Sequence, residues 1–219
     1  MALRLFLDSA DPQAWQQWLP SGLFHGVTTN PTLLRRAAQP CSLERLAQLA
    51  PLALAHGIQE LHLQAWGTTA ADMLQCGLAL AALAPGRVAV KLPVTQQGAA
   101  VARDLGRAGI PITFTACYEP HQVLIAAALG AAYIAPYLGR INDQGRDGTA
   151  AVIAMHQSLS GLGSSVRLLV ASLRQPGELT RLAAEGLNTF TISPELATAL
   201  VRCDATEAAS AQFERDAQS

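Results

Sequence analysis

Fifteen residues of this chain are basic, and fourteen of them are arginine. The exception is Lys91, which ends the apolar run Arg87-Val88-Ala89-Val90-Lys91 and is followed by Leu92-Pro93-Val94-Thr95. An arginine at that position would carry charge but stay protonated. A lysine buried among apolar neighbours has its pKa lowered, and a neutral amine attacks carbonyl carbons to form a Schiff base. The competing reading is a lysine that reaches water from a strand end or pairs with a carboxylate.

Polar residues close other apolar runs in the same way: Asp8, Thr28-Thr29-Asn30, Gln64, Thr115, Tyr137, Arg140, Ser172 and Arg174. Taken alone, Asp8 reads best as the cap of a helix starting near Pro12. Beside an inward lysine it gains a second role, carrying a proton to and from a substrate hydroxyl. Asn30 either caps the helix after Pro31 or holds a substrate hydroxyl. Gln64 and Thr115 either satisfy backbone groups or, with the Tyr137 hydroxyl, hold one water beside Lys91. Arg140, Ser172 and Arg174 suit a phosphate, because guanidinium groups offer planar forks of donors. The alternative for Gly139-Arg140-Ile141-Asn142-Asp143 is a turn carrying a surface ion pair.

These residues need elements that bring them together. Strands are expected at Leu3–Asp8, Gly26–Thr28, Glu60–Gln64, Arg87–Lys91, Pro111–Thr115, Tyr133–Ala135, Val166–Val170 and Thr189–Ile192. Helical patterns lie between them near Pro12–Leu19, Thr32–Ala55, Thr69–Ala84, Gln96–Arg107, Pro120–Ala128, Gly148–Ser160, Pro176–Ala184 and Pro194–Leu200. Eight strand–helix pairs predict an α/β fold, a single (β/α)8 TIM barrel over residues 1–219 with a C-terminal helix. An open doubly wound sheet would bring a Gly-rich loop after its first strand, where this chain has Leu7-Asp8-Ser9-Ala10. Alternation pairs Phe6 with Asp8, Ala89 with Lys91 and Val170 with Ser172 on the inner face. The polar tail Asp204–Ser219, with Phe213 as its large apolar anchor, docks on its own barrel, on a neighbour, or on nothing.

Composition narrows the class further. Half the residues are hydrophobic and 14% are charged, with a net charge of −1, so a large core is available. Nothing in that balance points to nucleic acid or a membrane surface as partner. The start reads as lacking a secretion signal, and a cytoplasmic location is expected. Cys41, Cys76, Cys117 and Cys203 are far apart and are expected to be buried reduced thiols. The five histidines show no ligand spacing, so no metal and no cofactor are expected; His62 alone should point inward, as a satisfied core residue.

The chain resembles the small transaldolase family and, within it, the bacterial fructose 6-phosphate aldolases. Leu7-Asp8-Ser9, Gly26-Val27-Thr28-Thr29-Asn30-Pro31, Val90-Lys91-Leu92-Pro93-Val94-Thr95, Ala135-Pro136-Tyr137, Gly139-Arg140-Ile141 and Ala171-Ser172-Leu173-Arg174 carry the resemblance. It implies a (β/α)8 barrel whose lysine on strand four, here Lys91, binds a ketose as a Schiff base. Asp8 is then the acid/base, Asn30 and Thr28 substrate contacts, and Arg140, Ser172 and Arg174 the surroundings of a sugar phosphate. Transaldolases usually carry glutamate, phenylalanine, serine and asparagine where this chain has Gln64, Tyr137, Ala135 and Thr113, so at these positions it is similar to the aldolases. The loop Gly139–Asp143 with Asp147-Gly148 is more similar to that of transaldolases. The resemblance also implies a homo-oligomer, a decamer or pentamer. The expected activity is cleavage of fructose 6-phosphate to dihydroxyacetone and glyceraldehyde 3-phosphate. Transaldolase transfer and a non-catalytic sugar-phosphate-binding barrel are the alternatives.

Overall fold

The structure is a computed structural model describing residues 2–218. Its strands are β1 (Arg4–Asp8), β2 (Gly26–Thr28), β3 (Glu60–Gln64), β4 (Val88–Pro93), β5 (Ile112–Cys117), β6 (Tyr133–Pro136), β7 (Arg167–Leu168) and β8 (Thr189–Ile192). All pair in parallel in the order β7-β6-β5-β4-β3-β2-β1-β8. Val170 N–H donates to the Thr189 carbonyl at 3.0 Å, and Thr191 N–H donates to the Val170 carbonyl at 2.9 Å. These bonds join the last two strands, giving the expected (β/α)8 barrel.

Alternation along each strand separates two layers. Val88, Val90 and Leu92 of β4 belong to the outer core between strands and helices, whereas Phe6, Tyr133, Ala135 and Leu169 pack together as a separate inner cluster. The strands are therefore buried on both faces, as a parallel sheet requires. Each fully buried leucine or phenylalanine of this kind contributes about 1.5–3 kcal/mol. Helices supply the outer wall: α1 (Pro12–Trp18), α2 (Pro31–Arg36), α3 (Leu43–Leu54), α4 (Ala70–Ala82), α5 (Gln96–Arg107), α6 (Val123–Ala128), α7 (Leu138–Asp143), α8 (Gly148–Gly161), α9 (Pro176–Ala184), α10 (Pro194–Val201) and α11 (Asp204–Ala217). In α3, Leu46, Leu49, Ala50 and Ala53 form the buried stripe, and the Ser42 hydroxyl caps the first turn by accepting from Arg45 N–H.

Several local expectations are corrected. The helix read across Thr32–Ala55 is two helices, α2 and α3. Between them Ala38 takes a left-handed backbone (φ 53) ahead of Pro40, so no single helix can run through. The segment Gly139–Asp143, read as a turn, lies within α7. Its first N–H groups are satisfied from outside, Leu138 by the Ala171 carbonyl and Gly139 by the Ser172 carbonyl, each at 3.0 Å. No sequence cap announces such a start. Strand β7 is shorter than Val166–Val170, because beyond Leu168 the backbone bonds alternately to β6 and β8.

Two thiols were misplaced by the sequence reading. Cys76 and Cys117 are buried, but Cys41 and Cys203 are exposed, since both fall in connections immediately before helices; all four are free. None of the residues of α11 is buried, and Phe213 is 70% exposed. The tail does not dock on its own barrel. Ser219 lies outside the described residues. Among those residues, no helix is long and apolar enough to cross a membrane.

Candidate active site

Lys91 enters the barrel from β4, with Gln64 of β3 and Thr113 of β5 as its register partners. Its side chain is 5% exposed, and Nζ donates to the Thr29 carbonyl at 3.0 Å. Burial lowers its pKa, and the nearby Asp8 carboxylate pulls in the opposite direction without reversing the shift. The ammonium form is disfavoured where it sits, which is the physical condition for a nucleophilic amine.

Asp8 does not cap α1. The Asp11 side chain does, accepting from Gln13 N–H at 2.9 Å, while Asp8 faces the barrel axis. Thr28 Oγ1 donates to Asp8 Oδ1 at 2.6 Å and lies 2.6 Å from Thr191 Oγ1. With the Thr28 hydrogen spent on Asp8, Thr191 must be the donor of the second bond. This chain of hydroxyls holds the Asp8 carboxylate in one orientation. Thr191 was not singled out from sequence, though the alternation Thr189-Phe190-Thr191-Ile192 already marked an inward polar face on β8.

A cavity of about 250 Å³ opens above Lys91, lined by Asp8, Thr28, Asn30, Tyr137, Arg140, Ser172, Arg174 and others. Asn30 serves in two places. Its Oδ1 caps α2, accepting from Leu33 N–H at 3.0 Å, and the residue also lines the cavity. The Tyr137 hydroxyl is 2.7 Å from Thr115 Oγ1, its ring meets Tyr118 edge-on, and the Arg140 guanidinium lies 4.8 Å from its centroid. Burial raises the Tyr137 pKa, so the phenol keeps its proton, as a donor must.

Gln64 and Thr115 sit beside Lys91 and behind Tyr137, and neither lines the cavity. Gln64 Nε2 donates to the Ala65 and Lys91 carbonyls at 3.1 and 3.3 Å, which is the backbone role sequence left open. His62 is the satisfied core residue anticipated: it is fully buried, with Nδ1 3.0 Å from Thr113 Oγ1 and Nε2 3.1 Å from Glu60. Among the described residues, no cluster of three or more His, Cys, Asp or Glu side chains could hold a metal.

The late loops bring the cationic side together. A Cβ on Gly139 would fall 2.3 Å from the Ser172 carbonyl and 3.1 Å from its hydroxyl, so only glycine lets α7 and the Ser172 loop approach this closely. Ser172 itself has φ 60, a left-handed turn that takes it out of the strand pleat. For that reason counting back in twos from Ser172 misassigns the face. Val170 belongs to the outer core, and Leu169 and Ala171 line the cavity instead. The surface ion pair foreseen for the Gly139–Asp143 segment exists, but its cation is Arg174, whose Nη2 lies 2.5 Å from Asp143. Arg140 stays on Tyr137.

A third guanidinium, Arg36, also lines the cavity and was missed. Among the described residues it makes no hydrogen bond or ion pair. Reading α2 and α3 as one helix placed Arg36 mid-helix, whereas it ends α2 at the rim. The arrangement as a whole is a buried amine at the floor, a fixed carboxylate and a phenol beside it, and three guanidinium groups at the lip.

Comparison with known proteins gives concordant results. Residues 5–219 match the family model described as Transaldolase/Fructose-6-phosphate aldolase. The chain is 32% identical over 214 residues to a "Probable transaldolase" of Caulobacter sp. (strain K31), covering 98% of this chain and 96% of that one. A protein of the same name from Rhodospirillum centenum is 32% identical over 219 residues, covering 99% and 91%. One from Dehalococcoides mccartyi is 29% identical over 214 residues, covering 98% and 97%.

Proposed function

From the premise that this chain belongs to the transaldolase/fructose-6-phosphate aldolase family of enzymes, we propose that it is a Schiff-base, metal-independent aldolase cleaving fructose 6-phosphate reversibly to dihydroxyacetone and glyceraldehyde 3-phosphate. The observation that carries this reading is the sole lysine of the chain, buried with a lowered pKa at the floor of a cavity that also holds a carboxylate and a phenol.

In this reading the neutral Lys91 amine attacks the ketone carbon, and loss of water gives an iminium that draws electrons from the sugar chain. Asp8 takes the proton of the hydroxyl on carbon four as the bond between carbons three and four breaks. Glyceraldehyde 3-phosphate leaves with its phosphate on Arg140, Ser172 and Arg174. Asn30 and Thr28 hold the remaining hydroxyls. Tyr137, hydrogen-bonded to Thr115, protonates carbon three, and hydrolysis, with a water beside Gln64, frees dihydroxyacetone. Each proton removed is returned, so no cofactor enters the balance.

Transfer of the dihydroxyacetone unit to an aldose phosphate is the second reading, favoured by the name "Probable transaldolase" on the relatives. Release of glyceraldehyde 3-phosphate from fructose 6-phosphate without any acceptor separates the two. Steady release over many turnovers is the expected result; a burst ending near one equivalent per chain would assign transfer instead. We further read residues 1–219 as one catalytic domain of a cytoplasmic homo-oligomer, decamer or pentamer, supported by a terminal helix that buries nothing on its own barrel.

A further inference from the structure

The opposite end of the barrel carries a second charged cavity, of about 290 Å³, built from the residues that begin the strands rather than end them. Arg4 opens β1, Glu60 opens β3, Tyr133 opens β6 and Arg167 opens β7, with Arg87 just before β4. Val88, Ala89, Pro111 and Ala132 give it an apolar wall. None of these residues takes part in the chemistry assigned to the mouth.

The charges here do not balance. Among the described residues Glu60 is the one carboxylate lining the cavity, and its capacity is already used. Oε1 accepts from Arg4 Nη1 at 2.8 Å and meets His25 Nε2 at 3.1 Å, while Oε2 accepts from the Tyr133 hydroxyl at 2.6 Å and meets His62 Nε2 at 3.1 Å. That is two partners on each oxygen, the full complement of a carboxylate. Arg87 spends Nε and Nη2 on the Gln59 and Ile58 carbonyls, and Arg167 spends Nη1 on Ala2, Asn188 and Thr189. Neither has a carboxylate partner among the described residues. Among the described residues, no acceptor meets Nε and Nη2 of Arg4, Nη1 of Arg87, or Nε and Nη2 of Arg167. Arg4 also repels Arg167 closely enough to help hold its pKa below the ordinary guanidinium value, behind the larger effect of burial.

Three half-buried guanidinium groups against one saturated carboxylate leave two positive charges in excess. A phosphate dianion matches that excess in charge, and its tetrahedral oxygens match several donor forks converging from different strands. A bound carboxylate would leave one charge uncompensated. We propose that this cavity is a second anion site, holding a phosphate group on Arg4, Arg87 and Arg167. The phosphate is either free or the end of a small ester whose carbons lie on the apolar wall. The site is separate from the mouth and does not depend on the reaction assigned there.

The test is a calorimetric titration of the full-length protein with inorganic phosphate at constant ionic strength. It uses the wild type, an Arg140→Gln/Arg174→Gln variant that weakens the mouth, and Ser165→Glu in both backgrounds. Ser165 is exposed at the cavity wall, so the glutamate adds a carboxylate without removing any hydrogen bond named above. Saturable binding of one phosphate per chain is expected to survive the mouth substitutions and to weaken by roughly tenfold or more on adding Ser165→Glu, as a like charge in a partly buried site demands. Should the mouth variant fold poorly, the wild type supplies the same reading, one phosphate site per chain weakening roughly tenfold or more with Ser165→Glu. Absence of saturable phosphate binding in a folded mouth variant, or binding indifferent to Ser165→Glu in both backgrounds, overturns the proposal. A parallel titration with glycerol 3-phosphate separates the two sources: tighter binding than inorganic phosphate assigns an ester, equal or weaker binding assigns the free ion.

Discussion

Replacing Tyr137 by phenylalanine removes one oxygen atom from the cavity and leaves the ring on Arg140 and Tyr118. The structural loss is the 2.7 Å bond to Thr115. A buried neutral hydrogen bond is worth about 1 kcal/mol net, which in a domain of this size lowers Tm by about 2–4 °C. The chemical loss is larger and selective. A positioned proton donor contributes about 10²–10⁴-fold, or about 3–5 kcal/mol of barrier, but only to the step that protonates the dihydroxyacetone carbanion. Carbon–carbon cleavage on Lys91 does not use that proton. The assay follows glyceraldehyde 3-phosphate from fructose 6-phosphate with no acceptor, alongside transfer to erythrose 4-phosphate. The expected result is a first equivalent formed at near wild-type rate, acceptor-free turnover falling about a hundredfold or more, and transfer retained. A Thr115→Val variant, which keeps the phenol but removes its partner, should fall between. If release and transfer decline in the same proportion, Tyr137 is a packing residue and the aldolase reading loses its proton donor.

Borohydride reduction in the presence of dihydroxyacetone should add one adduct per chain to the wild type and none to Lys91→Met, since no second lysine exists; an adduct on the variant refutes the imine at Lys91. The same pair tests the electrostatics. The Lys91 pKa is lower folded than unfolded, so its burial is a cost fully present below the folded value and lost as pH rises toward the ordinary 10.5. Lys91→Met should therefore show a stability advantage in denaturant titrations that narrows as pH rises toward 10.5; a pH-independent gap contradicts the lowered pKa. Arg36→Ala should raise KM for fructose 6-phosphate by about 3–10-fold with kcat little changed, the modest size reflecting an exposed charge-assisted bond. An equal effect on an unphosphorylated ketose would remove Arg36 from phosphate recognition. Phe213→Glu should reduce the sedimentation coefficient of the full chain, and a wild type that sediments as a monomer would end the oligomer reading.

What the sequence determined was set by periodicity and by rare residue types. Alternating runs such as Val88-Ala89-Val90-Lys91 fix which side chains face the barrel axis, because pleat geometry is local. Eight such runs separated by amphipathic helices leave the barrel as the economical way to bury both strand faces. A lone lysine among arginines pointed to the amine, and a fixed strand end told which side chains share the mouth. The tertiary structure alone decided the rest. Whether Asp8 caps a helix or faces the axis depended on Asp11 taking the cap and Thr28 taking the carboxylate. Ser172 left the alternation because a left-handed turn at φ 60 closes against Gly139, a contact between segments more than thirty residues apart. The break before α3 brought Arg36 to the rim, and α7 formed on the Ala171 and Ser172 carbonyls that follow β7. The uncompensated charge at the far end arose in the same way, since Arg4, Arg87 and Arg167 meet only when three separate strands begin on one side of a closed barrel. Local sequence sets the direction of a side chain, but its partners come from other strands, and the pairing of charge with countercharge is a property of the closed sheet.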